Sequence, residues 1–130
     1  MIKKEDLKKL AKERLKDAKV LFKLKRYEGA AYLSGYVLEF ALKAKVCKTL
    51  GWTGYPETKK EFEEYKSFKT HKLGVLLRLS GSESKLKARY VADWSIINKW
   101  DPEMRYRSTS YGGKEVLEII NSTEIITKIL

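Results

Sequence analysis

Between Asp101 and Lys114 the chain gathers Arg105, Tyr106, Arg107, Ser108, Thr109, Ser110, Tyr111, Gly112, Gly113 and Lys114 directly ahead of its last apolar segment. Two guanidiniums, three hydroxyl side chains and a lysine beside a helix N-terminus are the parts of an anion site, because free backbone amides and the helix dipole both favour phosphate there. Arg105, Arg107, Ser108, Ser110 and Lys114 are therefore the expected ligand residues. Gly112-Gly113-Lys114 is not a Walker phosphate loop, since the upstream glycine and the following hydroxyl residue are missing. The competing expectation is that Ser110 to Gly113 only turns the chain and caps a helix while the arginines meet surface acids.

Other titratable groups are few. His71 is the only histidine, so any histidine-dependent step must use it; the plainer expectation is a helix cap or a partner for a buried carbonyl. Cys47 is the only cysteine and has no base near it in sequence, which favours a buried, inert thiol. One His and one Cys argue against a conventional zinc site, and no metal or cofactor is expected. Glu39 and Lys43 stand one helical turn apart, a spacing that suits an ion pair locking the helix against a neighbour better than acid–base work. Trp52, Trp94, Trp100 and the tyrosines could stack on bases, but most have helical spacing, so core packing explains them first.

The elements that must position these groups are helical. From Arg26 to Ala44 the chain is apolar almost all the way round when wound as a helix. Ala30, Ala31, Ser34, Val37, Leu38, Ala41 and Leu42 fall on one face, and Tyr32, Leu33, Tyr36 and Phe40 on another. Two apolar faces need two partners. Helix one, expected from about Glu5 to Lys25, covers the first, with a break at Tyr27-Glu28-Gly29 making the two helices antiparallel neighbours. Tyr32, Tyr36 and Phe40 are then expected at a symmetric contact with a second copy.

Further along, Gly51-Trp52-Thr53-Gly54-Tyr55-Pro56 reads as a loop and Glu57 to Tyr65 as a charged stretch. Thr70 is expected to cap a Leu-rich helix closed by Ser80-Gly81. Ser80 and Glu83 have capping-box spacing for a helix bearing Leu86, Tyr90, Trp94 and Ile97. Val116 to Leu130 is rich in β-branched residues, yet its spacing favours a helix. The expectation is a single all-α domain over residues 1–130, an up-and-down bundle of about five helices with no sheet.

Net charge is +11, of which residues 1–50 carry +8 through 14 Lys and Arg against 6 Asp and Glu. Lys8, Lys12, Lys16, Lys19 and Lys23 recur every three or four residues opposite an apolar stripe, forming a positive ridge. Such a ridge attracts RNA or DNA without regard to sequence, or it serves solubility alone. A membrane-surface role ranks low, since the apolar stripe is needed to cover the central helix. No run is long enough to span a bilayer, and a cytoplasmic location is expected.

An amphipathic first helix ending in Arg-Tyr, followed by Gly-Ala-Ala-Tyr-Leu and Leu-Glu-Phe-Ala-Leu-Lys-Ala, resembles the opening helix pair of HEPN (higher eukaryotes and prokaryotes nucleotide-binding) domains. The likeness continues in Phe68-Lys69-Thr70-His71-Lys72-Leu73 and in Trp100-Asp101-Pro102-Glu103-Met104-Arg105-Tyr106. The resemblance implies binding of a nucleotide or RNA phosphate, a homodimer, and a toxin–antitoxin or defence setting with a minimal nucleotidyltransferase as partner. HEPN ribonucleases carry an Arg, four to six residues and then a His. The Arg neutralises the scissile phosphate and the His moves protons. Arg105 matches the arginine, but Ser110, Tyr111 and Gly112 occupy the histidine positions, and counting from Arg107 reaches Gly112, Gly113 and Lys114. Lys66 to His71 echoes the spacing with a lysine in front, ahead of the wrong helix. The alternative to a binding module is thus a metal-independent ribonuclease with Arg105 on the phosphate and Tyr111 or His71 as proton carrier.

Overall fold

A computed structural model describes residues 1–106 and 110–130; the side chain of Arg105 and residues 107–109 lie outside that description. Among the described residues there are seven α-helices, of which three are long: α1 (Lys4–Lys23), α2 (Tyr27–Leu50) and α7 (Gly113–Ile129). Four short helices fill the middle of the chain: α3 (Lys59–Phe62), α4 (Leu73–Ser80), α5 (Glu83–Arg89) and α6 (Val91–Ile97). The count exceeds the expected five because the middle of the chain is cut into one- and two-turn pieces. Tyr90, at φ −127°, separates α5 from α6, yet Leu86, Trp94 and Ile97 all reach the core.

α2 is the axis of the bundle. Its face from Ala30 to Leu42 is buried as expected, with α1 running antiparallel against it: Leu7 meets the cluster of Leu42 and Val46, Ala11 packs with Val37 and Ala41, and Leu21 and Phe22 reach Ala30. The turn between them falls at Leu24–Arg26, where Lys25 takes a left-handed φ of 59°, and Tyr27 to Gly29 form the first turn of α2. α2 ends at Gly51, whose φ of 69° suits glycine. The Trp52 amide then donates to the Cys47 carbonyl at 2.8 Å, closing the helix.

α7 runs parallel to α2, Val116 and Ile120 packing on Ala30 and Ala31 while Ile126 joins the cluster of Leu38 and Leu42. The second face of α2 is half-buried at Tyr32, Tyr36 and Phe40, and the chain supplies part of its cover. Trp100 lies flat on Gly35, so close that a Cβ there would stand 1.9 Å from the indole. Its Nε1 donates to the Tyr32 carbonyl at 3.0 Å, and its ring meets Tyr36 edge-on at 4.9 Å.

Three local expectations are corrected. A two-stranded antiparallel bridge exists, β1 (Ile2–Lys3) with β2 (Gly54–Tyr55), where the sequence pointed to no sheet; Gly54 permits it, since any Cβ would stand 2.7 Å from the Ile2 carbonyl oxygen. Thr70 precedes α4 rather than capping it, its Oγ1 accepting the Lys72 amide at 3.1 Å. Ser80 belongs to α4, donating to the Leu77 carbonyl at 2.6 Å, so the start of α5 falls to Ser82.

Candidate functional site

Of the residues expected in the anion site, Ser110 and Lys114 lie at the start of α7. α7 starts at Gly113 behind Gly112, and α2 starts at Tyr27; the Tyr27 hydroxyl lies 2.9 Å from where a Cβ on Gly113 would be. The Tyr27 side chain thus reaches the start of α7, and neither Arg26 nor Gly112 caps its helix with a side chain. First-turn amides and the positive end of a helix dipole favour negative charge, and each first turn here also carries an acid of its own, Glu28 in α2 and Glu115 in α7. Ser110 and Lys114 are exposed and Tyr111 is half-buried. Arg105 belongs to the 3-10 turn Pro102–Tyr106, whose Met104 lines the cavity described next. Its side chain, Arg107 and Ser108 fall outside the described residues. Below the notch, a cavity of about 250 Å³ runs between α2, the end of α6 and α7.

A second constellation sits near the middle of α2. Glu39, 2% exposed, accepts at Oε1 from His71 Nδ1 at 2.7 Å and pairs at Oε2 with Lys43 Nζ at 3.4 Å. His71 is neither a helix cap nor the partner of a carbonyl, which corrects the plainer expectation. The segment ahead of α4 carries it to Glu39 because Leu73, Leu76 and Leu77 bury against Leu38 and Leu42 of α2. A carboxylate buried on an apolar helix demands compensation, and here a lysine one turn on and an imidazole from another segment provide it. Lys43 and Glu39 do form the expected ion pair, and the neighbour they hold is this segment. Tyr55 steadies it from below: its hydroxyl donates to the Phe68 carbonyl at 2.7 Å, burial pushes its phenol far above the ordinary value, and Lys43 Nζ stands 5.2 Å from its ring centroid. His71 itself is 63% exposed, so the ring is anchored at one nitrogen and open to solvent at the other.

The Glu39–His71 contact was missed in the sequence because 32 residues separate the partners. One signal could have found it: Glu39 is the only acid between Gly29 and Leu50, on a helix with no solvent face wide enough to hold it.

The lysine ridge is exposed. Lys19 pairs with Glu124 and Lys16 with Glu13, while Lys8, Lys12 and Lys23 make no ion pair among the described residues. Trp94 and Trp100 are core residues and Trp52 packs against Tyr65 and Phe68. Cys47 is buried, and burial raises its thiol pKa. Among the described residues no group of three or more His, Cys, Asp or Glu could hold a metal ion, and no helix is long and apolar enough to cross a membrane.

No curated protein and no solved structure matches the chain. The sequence model of the HEPN domain does, over residues 4–130, essentially the whole chain and the whole helical bundle described above. The chain belongs to the HEPN domain family.

Proposed function

We propose that this HEPN domain binds the phosphate of a nucleotide or an RNA at the notch where α2 and α7 begin, through the first-turn amides of α7, Ser110, Lys114, Arg105, Arg107 and Ser108. The observation that supports the proposal is the start of α7 at Gly113, which has no side-chain cap, has Lys114 exposed on it and has the Tyr27 side chain of α2 packed against it. A net charge of +11 and the exposed Lys8, Lys12, Lys16, Lys19 and Lys23 ridge add a long-range pull on polyanions. In this reading the domain acts as a homodimer joined through Tyr32, Tyr36 and Phe40, in the cytoplasm, as the HEPN member of a toxin–antitoxin or defence pair with a minimal nucleotidyltransferase. The test is RNA affinity against salt for the chain and for Arg105→Ala with Lys114→Ala. Affinity falls and the salt slope shrinks by about one per phosphate contact removed; unchanged binding in both would remove the notch from the account.

A second reading, an RNA-cleaving enzyme, is favoured by one geometric fact. With its Nδ1–H donated to Glu39, His71 holds Nε2 outward as a base, as a carboxylate-oriented imidazole does in hydrolases. That favours His71 over Tyr111, whose unperturbed pKa is about 10. Glu39 and its His71 partner stand about 18 Å of helix from Tyr27 at the notch, so this reading needs Arg105 of one copy and His71 of another to meet one phosphate across a dimer. RNA cleavage lost in both His71→Ala and Arg105→Ala supports the enzyme, and cleavage absent from the parent chain excludes it.

A further inference from the structure

We infer that the cavity beneath the notch is a nucleobase slot with a preference for guanine, an inference that rests on the notch as the phosphate site. The cavity is lined by Gly35, Trp100, Met104, Tyr111, Glu115 and Thr123, among others. Tyr111 and Glu115 bracket Gly112–Lys114, so the cavity and the start of α7 share one rim. A ligand held by phosphate at that helix end has its remaining bulk directed at this opening.

Size and chemistry narrow what fits. The cavity volume is about 250 Å³. That is room for one planar heterocycle and too little for a whole drug-sized ligand, whose pockets start at about 300 Å³. The walls are mostly apolar and include an indole and a phenol ring, surfaces on which a base stacks. Among the described lining residues Glu115 is the one carboxylate and Lys99 the one ammonium, and neither makes an ion pair among the described residues. A carboxylate accepts with two parallel oxygens. Guanine offers a matching pair of donors, N1–H and the 2-amino group, on one edge. Adenine and cytosine bring a single amino group next to a ring acceptor, and uracil places its one N–H between two carbonyls, so each of these turns a lone pair toward Glu115.

The experiment measures the affinity of the whole chain for GTP, ATP, UTP and inorganic tripolyphosphate by calorimetry, with the fluorescence of Trp100 as a second readout. GTP is expected to bind about tenfold or more tighter than UTP or tripolyphosphate, the scale of a charge-assisted hydrogen-bond pair. Glu115→Gln replaces one acceptor by a donor at an exposed position, so the fold is kept. It should cut GTP affinity to the level of ATP, while tripolyphosphate binding is kept or strengthened because a negative charge beside the notch is removed. Equal affinity for all four ligands, or a GTP preference that survives Glu115→Gln, overturns the slot and leaves the notch standing. Failure of all four to bind overturns the notch and the slot together.

Discussion

The start of α2 and its middle handle charge in opposite ways. At the start, where Gly113 of α7 lies against the Tyr27 side chain, exposed Lys114 and Glu115 stand in a first turn without a side-chain cap. At the middle, Glu39 is sealed between Lys43 and His71, and every partner is accounted for within the chain. About 18 Å of helix separates Tyr27 from Glu39 at 1.5 Å per residue. The difference separates two uses of electrostatics: compensated charge holds the fold, and charge left in excess is available to a ligand.

The contrast can be broken most severely at the residue that joins the two regions. Gly35→Ala would drive a methyl group into Trp100, displacing the indole that covers the second face of α2 and lines the cavity. A loss of about 3 kcal/mol in urea unfolding is expected, with smaller changes meaning the indole has room to shift. Next is Glu39→Ala, which strands Lys43 and releases His71 and should cost about 2 kcal/mol. Lys114→Ala, at an exposed position, should leave stability within about 0.5 kcal/mol while weakening RNA binding, so the two substitutions together measure the contrast directly. His71→Ala removes one hydrogen bond whose other partner keeps Lys43, and a loss of about 1 kcal/mol is expected by the same unfolding assay.

The smallest effect concerns pH. The Lys19 and Lys128 ammoniums hold the Glu124 carboxyl below its ordinary value of 4.5. A depressed folded-state pKa contributes stability above the unfolded value that is lost as pH falls through the folded one. The chain should therefore lose stability on acidification below 4.5, and Glu124→Gln should make that loss shallower in thermal melts taken from pH 6 to pH 3. An identical acid limb in both proteins would mean that Lys19 tethers α1 to α7 without electrostatic consequence.

How much was legible in the sequence depends on how local each feature is. The two apolar faces of α2 are written in Ala30 to Leu42 at helical spacing, and they led directly to the antiparallel α1 and to the family. The position of the first break was off by three residues because nothing in Leu24-Lys25-Arg26 marks a turn by type; Lys25 adopts a left-handed conformation that Gly29 was the more natural residue to supply. The β1–β2 bridge escaped because two-residue strands leave no periodicity, and only the bare backbone of Gly54 allows the approach. The crowding of basic and hydroxyl residues ahead of α7, on which the proposed phosphate site rests, is legible as composition. What composition could not convey is that the Tyr27 side chain of α2 reaches the same place. His71 was visible as a lone titratable group, but its carboxylate lay on another helix.

The central claim is that phosphate meets the bundle at the start of α7, and amide chemical shifts read it residue by residue. Titrating the isotopically labelled chain with a short single-stranded RNA, the account predicts the largest shifts at Gly112, Gly113, Lys114 and Glu115, with smaller ones at Tyr27 and Glu28 across the notch. Shifts confined to the Lys8, Lys12, Lys16, Lys19 and Lys23 face of α1, with the start of α7 unmoved, would contradict it.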